Sequence, residues 1–334
     1  MSTKDKTLAY LQEHSGEFMS GADLANALGV SRNSVWKAIK TLQSTGYPIY
    51  AVSGKGYCLA QNSDVLSREA VQKRIKDHRV TVEFHPTIGS TNARAKELAA
   101  QGAPEGTLIV ANQQTAGRGR RGRAFYSPAD TGVYFSLVLR PSFDLGDVTL
   151  ITSYAATCVA RAIEDVFGLD AQIKWVNDVF VDGRKCCGIL TEAAITPENG
   201  SIDYVVLGIG INVYEPKDGF SEESASIARA LWQDSEPVLD GRARVAAATI
   251  NRFMEDYERI PARPHLEEYR KRSLLDGRCV QITQGMESFA ATVLGINDDF
   301  SLRVRLEDGS ERNLQHGEAS IPSSQLAQAE RKLR

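Results

Sequence analysis

The chain is poor in the features that mark a secreted, membrane-spanning or metal-clustered protein. Its five cysteines (Cys58, Cys158, Cys186, Cys187 and Cys279) are odd in number, scattered and nowhere spaced as C-x-x-C. Neither a disulfide framework nor a zinc site is indicated, and they read as small buried apolar residues. No apolar run approaches the roughly 20 residues of a membrane span, and residues 1–13 lack the basic-then-apolar pattern of a signal peptide. A cytoplasmic location is therefore expected. Internal repeats and low-complexity tracts are also absent. What remains is an ordinary composition: 334 residues, 42% hydrophobic, suited to two or three compact domains rather than one. Net charge is only −3, yet residues 1–60 carry six Lys/Arg against four Asp/Glu, an excess of two that leaves minus five elsewhere.

That basic end reads as three short helices and a hairpin. Leu8 and Leu11 give the first helix an apolar face. Ser20 with Asp23 has the form of a capping box, Leu24, Ala27 and Leu28 supply a buried side, and Gly29 stands where a helix end needs positive φ. Ser31 is the expected N-cap of the third helix, whose buried Val35, Ile39 and Leu42 leave Ser31, Arg32, Asn33, Ser34, Lys37 and Lys40 exposed; Trp36 reads as packing. Ile49–Val52, a turn Ser53–Gly56 with Lys55 at its tip, and Tyr57–Leu59 form a wing. This is the order of a winged helix-turn-helix, a module that serves DNA or protein partners. The Arg/Asn/Lys grouping on the third helix favours DNA, and so few basic groups imply paired half-sites and a dimer.

The expected domains are 1–62 (winged helix-turn-helix), 63–79 (linker and connecting helix), 80–275 (catalytic) and 276–326 (a small barrel). In the central part, strands are expected at Val80–His85, Leu108–Ala111, Val133–Leu139, Ile173–Val176, Gly188–Ala193 and Tyr204–Ile211, with helices at Asn92–Ala100, Val148–Phe167, Arg242–Arg259 and His265–Leu275. The pattern gives a mixed sheet carrying helices, hence an α+β class. Four alternating segments follow at Val280–Ile282, Phe289–Ile296, Leu302–Leu306 and Arg312–Leu314.

Between two of those strands the chain reads Gly-Arg-Gly-Arg-Arg-Gly-Arg over Gly117–Arg123, with no acid and no apolar side chain. Backbone N–H groups freed by glycine and the guanidinium forks of Arg118, Arg120, Arg121 and Arg123 suit carboxylate or phosphate oxygens, although the Lys-Ser/Thr ending of a P-loop is missing. Three further clusters stand at strand ends. Ser90-Thr91-Asn92 reads equally as a helix cap or a ligand site. Lys174-Trp175-Val176-Asn177-Asp178 is followed, after the turn Val181–Gly183, by Arg184-Lys185. Gly208-Ile209-Gly210-Ile211-Asn212 permits close approach of a flat ligand or marks a bulge.

Together these residues resemble the bifunctional biotin operon repressors and biotin-protein ligases, domain by domain. Ser-Thr-Asn at 90–92, Gln114 three residues before Gly-Arg-Gly-Arg-Arg-Gly, Lys-Trp-x-Asn-Asp at 174–178, Lys185 before Gly-Ile-Leu, and Gly-Ile-Asn at 210–212 stand in family order. The resemblance implies a class II synthetase-like sheet and an SH3-like carboxyl-terminal β-barrel. It implies that Ser90, Thr91, Asn92, Gln114, Arg118, Gly119, Arg120 and Lys185 hold biotin. Arg118, Arg120, Arg121, Phe125, Lys174, Asn177, Lys185 and Asn212 would hold ATP and the adenylate. Lys185, Asp178 and Arg120 would serve the chemistry, with Asp178 orienting or deprotonating the acceptor lysine. Ser31, Arg32, Asn33, Ser34, Lys37, Lys40 and Lys55 would contact DNA. Two positions depart from the family: Val176 stands where Pro is common and Phe125 where Trp is common, and neither change removes a reactive group.

The activity implied is ATP-dependent biotin-protein ligation through biotinyl-5′-AMP, with Mg²⁺ accompanying ATP and no dedicated protein metal site. A biotin carboxyl carrier protein (that of acetyl-CoA carboxylase) would be the acceptor. Biotin operator DNA would be the second partner, with the adenylate as corepressor and a homodimer formed through exposed edges of the central sheet. A lipoate-protein ligase and a ligand-sensing regulator without catalysis are the alternatives. Ordering a seven-residue loop costs on the order of 10 kcal/mol, so without an anion the arginine loop is expected to be mobile.

Overall fold

The computed structural model describes residues 2–44, 46–60, 63–196, 200–222 and 224–321, Leu145 by its backbone alone. Gln61 and Asn62 at the first expected boundary, and 322–326 of the last expected domain, lie outside them.

The amino-terminal module consists of α1 (Thr3–Glu13), α2 (Gly21–Leu28), α3 (Arg32–Ser44), β1 (Ile49–Val52) and β2 (Gly56–Leu59). Its local signals act as read. Ser20 Oγ accepts the Asp23 N–H at 3.1 Å, Gly29 closes α2 at φ 64°, and Ser31 Oγ accepts the Ser34 N–H at 3.1 Å. Leu8, Leu11, Leu24, Val35, Ile39 and Leu42 are buried together. Two readings change: Trp36 is 49% exposed, not packed, and on α2 it is Ala25 that is buried beside Leu24, while Ala27 is exposed and Leu28 half-buried.

After the short α4 (Arg68–Gln72), the central elements run β3 (Thr81–His85), α5 (Thr91–Ala100), β4 (Thr107–Ala111), β5 (Gly132–Leu139), α6 (Val148–Phe167), β6 (Gln172–Lys174), β7 (Asp178–Val181), β8 (Arg184–Ile195), β9 (Ile202–Asn212), α7 (Gly241–Asp256) and α8 (Leu266–Lys271). The strands form one sheet in the order β3-β4-β5-β9-β8-β7-β6, parallel only between β3 and β4. Alternation divides β4: Ile109 packs with Ala95 and Ala99 of α5 on one face, while Leu108 and Val110 join Ile151 and Ile250 of α6 and α7 on the other. Every residue of β5 is buried, as a strand covered on both faces requires. Two strand expectations change. The strand at 173 ends at Lys174, and the peptide bond that follows Trp175 is cis. Asp178–Val181 is a strand paired with β8, not a segment leading straight into a turn.

The last segments are β10 (Cys279–Gln284), β11 (Glu287–Ile296), β12 (Leu302–Arg305), β13 (Glu311–Leu314) and the unforeseen β14 (Glu318–Ser320). They form an antiparallel five-stranded sheet in the order β13-β12-β11-β10-β14, with no ladder from β13 to β14 among the described residues. The sheet edges are partly closed. Beside β6, Ile173 exchanges backbone bonds with Arg272 and Leu274, and beside β3 the Val82 N–H is taken by Gln72 Oε1 at 2.8 Å. A buried cluster ties the linker to the central domain. Asp64 Oδ2 accepts from Tyr214 Oη at 2.6 Å and from Arg242 N at 3.0 Å, and Arg242 is only 2% exposed.

Candidate active site

A cleft of about 550 Å³ opens over the β5, β8 and β9 end of the central sheet, bounded by the arginine loop, the start of α5, the 220–228 loop and β14. All fourteen residues expected to hold biotin or the adenylate, or to serve the chemistry, line it: Ser90, Thr91, Asn92, Gln114, Arg118, Gly119, Arg120, Arg121, Phe125, Lys174, Asn177, Asp178, Lys185 and Asn212.

At one end a polar chain forms the wall. Ser90 caps α5, and the next turn presents Thr91, whose N–H and hydroxyl lie 2.8 and 3.1 Å from Gln114 Oε1. Gln114 Nε2 donates to Ser127 Oγ at 3.0 Å. Beneath them Ser136 Oγ lies 2.8 Å from Thr91 Oγ1 and 2.6 Å from Asn92 Oδ1, and Asn92 Nδ2 donates to Glu192 at 2.9 Å. Ser127, Ser136 and Glu192 were not foreseen. Their partners Gln114, Thr91 and Asn92 lie 13 to 100 residues away, so no local pattern marks them.

The strand glycines seat this chain's own side chains. A Cβ on Gly208 would lie 1.9 Å from Asn92 Oδ1, and one on Gly210 would lie 2.4 Å from the Phe125 ring. Gly188, paired with Gly210 across the ladder, leaves 3.0 Å to the same ring. Gly208 and Gly210 do permit close approach, but what approaches them is Asn92 and Phe125 of this chain; Phe125 also rests on Gly188, and none of the three marks a bulge.

The arginine loop is a tight hairpin. Gly119 N–H bonds Arg123 O at 2.7 Å, Phe125 N–H bonds Gly117 O at 2.9 Å, and Arg121 takes a left-handed φ of 55°. The loop is braced by partners that the local sequence does not announce. Arg123 is bidentate on Glu318 at 2.8 and 3.0 Å, Arg121 lies 3.5 Å from the same carboxylate, and Arg120 donates to Asn177 Oδ1 at 2.7 Å. Burial pushes the Glu318 carboxyl up, but hydrogen bonds from Arg123 and the surrounding cations outweigh it and hold it below its ordinary value. Among the described residues Arg118 has neither hydrogen-bond nor ion-pair partner in its side chain.

Deeper in, Lys185 Nζ meets Asp178 Oδ1 at 2.7 Å, and the Lys185 backbone is bracketed by Ile227 and by Arg229, which follows the 220–228 loop. Asn177 is already engaged at both ends, holding Arg120 and donating to Ile189 O at 3.0 Å. Lys174 sits 5.8 Å over the Phe180 ring. Burial lowers the pKa of both Lys174 and Arg120, with Asp178 opposing the shift in each. The cleft lining holds six cations (Arg118, Arg120, Arg121, Arg123, Lys174, Lys185) against two carboxylates (Asp178, Glu318). Partly buried positive charge in such excess is costly unless an anion completes it.

The second candidate surface is α3 with the wing. Ser31, Arg32, Asn33, Lys37 and Lys40 are exposed along α3, Ser34 is half-buried, and Lys55 is exposed at the hairpin tip with Nζ 5.8 Å above Phe18. Half-exposed Trp36 joins this face.

Known proteins resemble the chain along nearly its whole length. A model of the biotin/lipoate A/B protein ligase family matches residues 84–212, and an HTH domain model matches residues 3–58. The bifunctional ligase/repressor BirA of Bacillus subtilis (strain 168) is 36% identical over 317 residues, covering 92% of this chain and 96% of that protein. Its counterpart of the same name in Escherichia coli (strain K12) is 30% identical over 321 residues, with 93% and 95% covered. Of solved structures, the biotin protein ligase from Aquifex aeolicus in complex with biotin and ATP has a TM-score of 0.60 at 27% identity, covering 72% of this chain and 97% of that one.

Proposed function

The chain belongs to the bifunctional ligase/repressor BirA family, within the biotin/lipoate A/B protein ligases, and on that premise we propose that its cleft joins biotin to a protein lysine in two steps. The observation that carries the reading is the charge deficit of the cleft: six cations and two carboxylates line a space that a nucleotide triphosphate and a carboxylate would neutralise. In the first step a biotin carboxylate oxygen attacks the α-phosphorus of ATP, a P–O bond to pyrophosphate breaks, and biotinyl-5′-AMP forms. In the second, the acceptor lysine amine attacks the acyl carbon and AMP departs. Arg118, whose side chain has no hydrogen-bond or ion-pair partner among the described residues, and Arg120, oriented by Asn177, hold the carboxylate and then the phosphate. Mg²⁺ accompanying ATP would supply charge neutralisation for the departing pyrophosphate; the two carboxylates of the cleft, Asp178 and Glu318, are too few to hold it as a dedicated site.

Lys185 and Asp178 have linked parts. Paired at 2.7 Å, they neutralise each other. An entering phosphate draws Lys185 away as a point charge, and Asp178 is then free to orient the acceptor amine and take its proton. Thr91 and Gln114 face the ring end of biotin, and Asn212, at the end of β9, faces the adenine.

The same chain represses transcription. The residues assigned to DNA are Ser31, Arg32, Asn33, Ser34, Lys37 and Lys40 of α3 and Lys55 of the wing, with biotin operator DNA as target and biotinyl-5′-AMP as corepressor. A homodimer brings two modules to paired half-sites. Because β6 is covered by Arg272–Leu274, edge pairing would use the β3 side. The acceptor is a biotin carboxyl carrier protein, and the location is cytoplasmic; no helix among the described residues is long and apolar enough to cross a membrane.

Incubation with labelled biotin, ATP, Mg²⁺ and a carrier domain tests the reading. Label on the carrier lysine, lost with Lys185→Ala, is expected. Biotin binding without release of pyrophosphate would instead support a sensor without catalysis, and transfer of lipoate in preference to biotin would support a lipoate ligase.

A further inference from the structure

The polar chain in the cleft wall has a direction, and that direction is set outside the cleft. Glu192 on β8 does not line the cleft, yet one carboxylate oxygen accepts from Asn92 Nδ2 at 2.9 Å and the other from Lys96 Nζ at 2.8 Å. Burial raises its pKa, but hydrogen bonds from Lys96 and Asn92 outweigh burial and keep it below the ordinary value. At neutral pH Glu192 is therefore ionised and can only accept. Asn92 must turn its NH₂ to Glu192 and its oxygen to Ser136.

Ser136 has one proton and two acceptors in reach, Asn92 Oδ1 at 2.6 Å and Thr91 Oγ1 at 2.8 Å. The shorter contact ends on an amide oxygen with no proton of its own, so it takes the Ser136 proton. The Thr91 proton goes to Gln114 Oε1, 3.1 Å away. With the Ser136 proton on Asn92 Oδ1, no group among the described residues donates to Thr91 Oγ1, and its lone pairs remain available at the cleft wall.

We propose that Glu192 is a positioning residue that fixes this polarity through Asn92 and Ser136, keeping Thr91 Oγ1 an acceptor for an N–H of the ligand. The inference rests on the reading of the cleft given above, in which that ligand atom is a ureido N–H of biotin.

Glu192→Gln supplies one acceptor for two donors. Charged Lys96 takes it, since charge-assisted bonds are the stronger, and Asn92 is left with an NH₂ facing an NH₂. The Asn92 amide turns over, Ser136 accepts from it and donates to Thr91 Oγ1, and the acceptor is closed. Removing Lys96 as well returns the single acceptor to Asn92.

The test measures biotin affinity by calorimetry, and KM and kcat by biotin-dependent ATP–pyrophosphate exchange, in the full chain. Glu192→Gln is expected to raise Kd and KM about tenfold or more, the scale of a buried hydrogen bond turned against its ligand, with kcat within about twofold. Lys96→Met alone, and Lys96→Met/Glu192→Gln together, are expected within about threefold of wild type. A role in packing or net charge alone predicts no such rescue. Normal biotin affinity in Glu192→Gln, or a double variant as weak as the single, overturns the inference. Wild-type protein that fails to bind biotin removes the reading of the cleft and this inference with it.

Discussion

Replacing Gly210 by alanine places a methyl group inside the seat of the Phe125 ring. The new Cβ would stand 2.4 Å from Cε1, 2.7 Å from Cζ and 3.1 Å from Cδ1, where ordinary contact is 3.4–4 Å, so the ring must retreat by about 1 Å. It has little room. Tyr134 meets it edge-on at 6.3 Å between centroids, and the backbone behind it is pinned by the Phe125 N–H to Gly117 O bond. Retreat therefore moves the arginine loop. Overpacking of this kind costs about 1–3 kcal/mol of stability, and a 1 Å misplacement of groups that align a reaction costs roughly 100-fold in rate. Gly210→Ala is expected to lower kcat/KM for biotin by that order in pyrophosphate exchange, with the melting temperature falling by several degrees. Phe125→Ala removes the clashing atoms, so Gly210→Ala should cost almost no stability in that background. Additive losses in the double variant would refute the ring-seat reasoning.

Three further outcomes follow from the geometry. Asp64→Ala strands the 2%-exposed Arg242 and should cost about 3–5 kcal/mol in denaturant unfolding, whereas Asp64→Leu/Arg242→Met should lose less than the two single changes combined. Glu318 is held below its ordinary pKa of 4.5 by Arg123, so its contribution is complete above that value and is lost as pH falls through the lower folded one. With Arg123 69% exposed the effect is under about 1 kcal/mol; it should be read as a lower hydrogen-exchange protection factor across residues 117–125 on acidification, after correction for the intrinsic slowing of exchange, absent in Glu318→Gln. Lys37→Ala and Lys40→Ala should each reduce the slope of log affinity against log salt for operator DNA by about one, and an unchanged slope would count against α3 in the groove.

The sequence was most legible where one residue decides a local conformation. Ser20, Gly29 and Ser31 set helix ends by capping, and the strands from Thr107 to Leu139 carry apolar periodicity. It was less legible where structure depends on distant partners. Asp178–Val181 is only four residues and became a strand because β8 returns beside it. Trp36 was assigned to packing on its chemistry, yet the core of its module closes without it. The partner of the arginine loop was not legible because Glu318 stands 195 residues later, and the bracket of Lys185 by Ile227 and Arg229 is likewise non-local. Gly208 and Gly210 announced a close approach but not who approaches, because a missing side chain carries no information about its neighbour.

The Arg123–Glu318 pair also has a bearing on how the protein is made. With 195 residues between its members and synthesis at roughly 5–20 residues per second, the carboxylate is translated about 10–40 s after the loop. From the completion of β9 at Asn212 onward the central sheet has all its strands, while Arg121 and Arg123 still lack the carboxylate that clasps them. Closure of β14 and capture of a soluble anion then draw on the same groups, and a chain stopped short of Glu318 would retain the sheet yet lack the clasp.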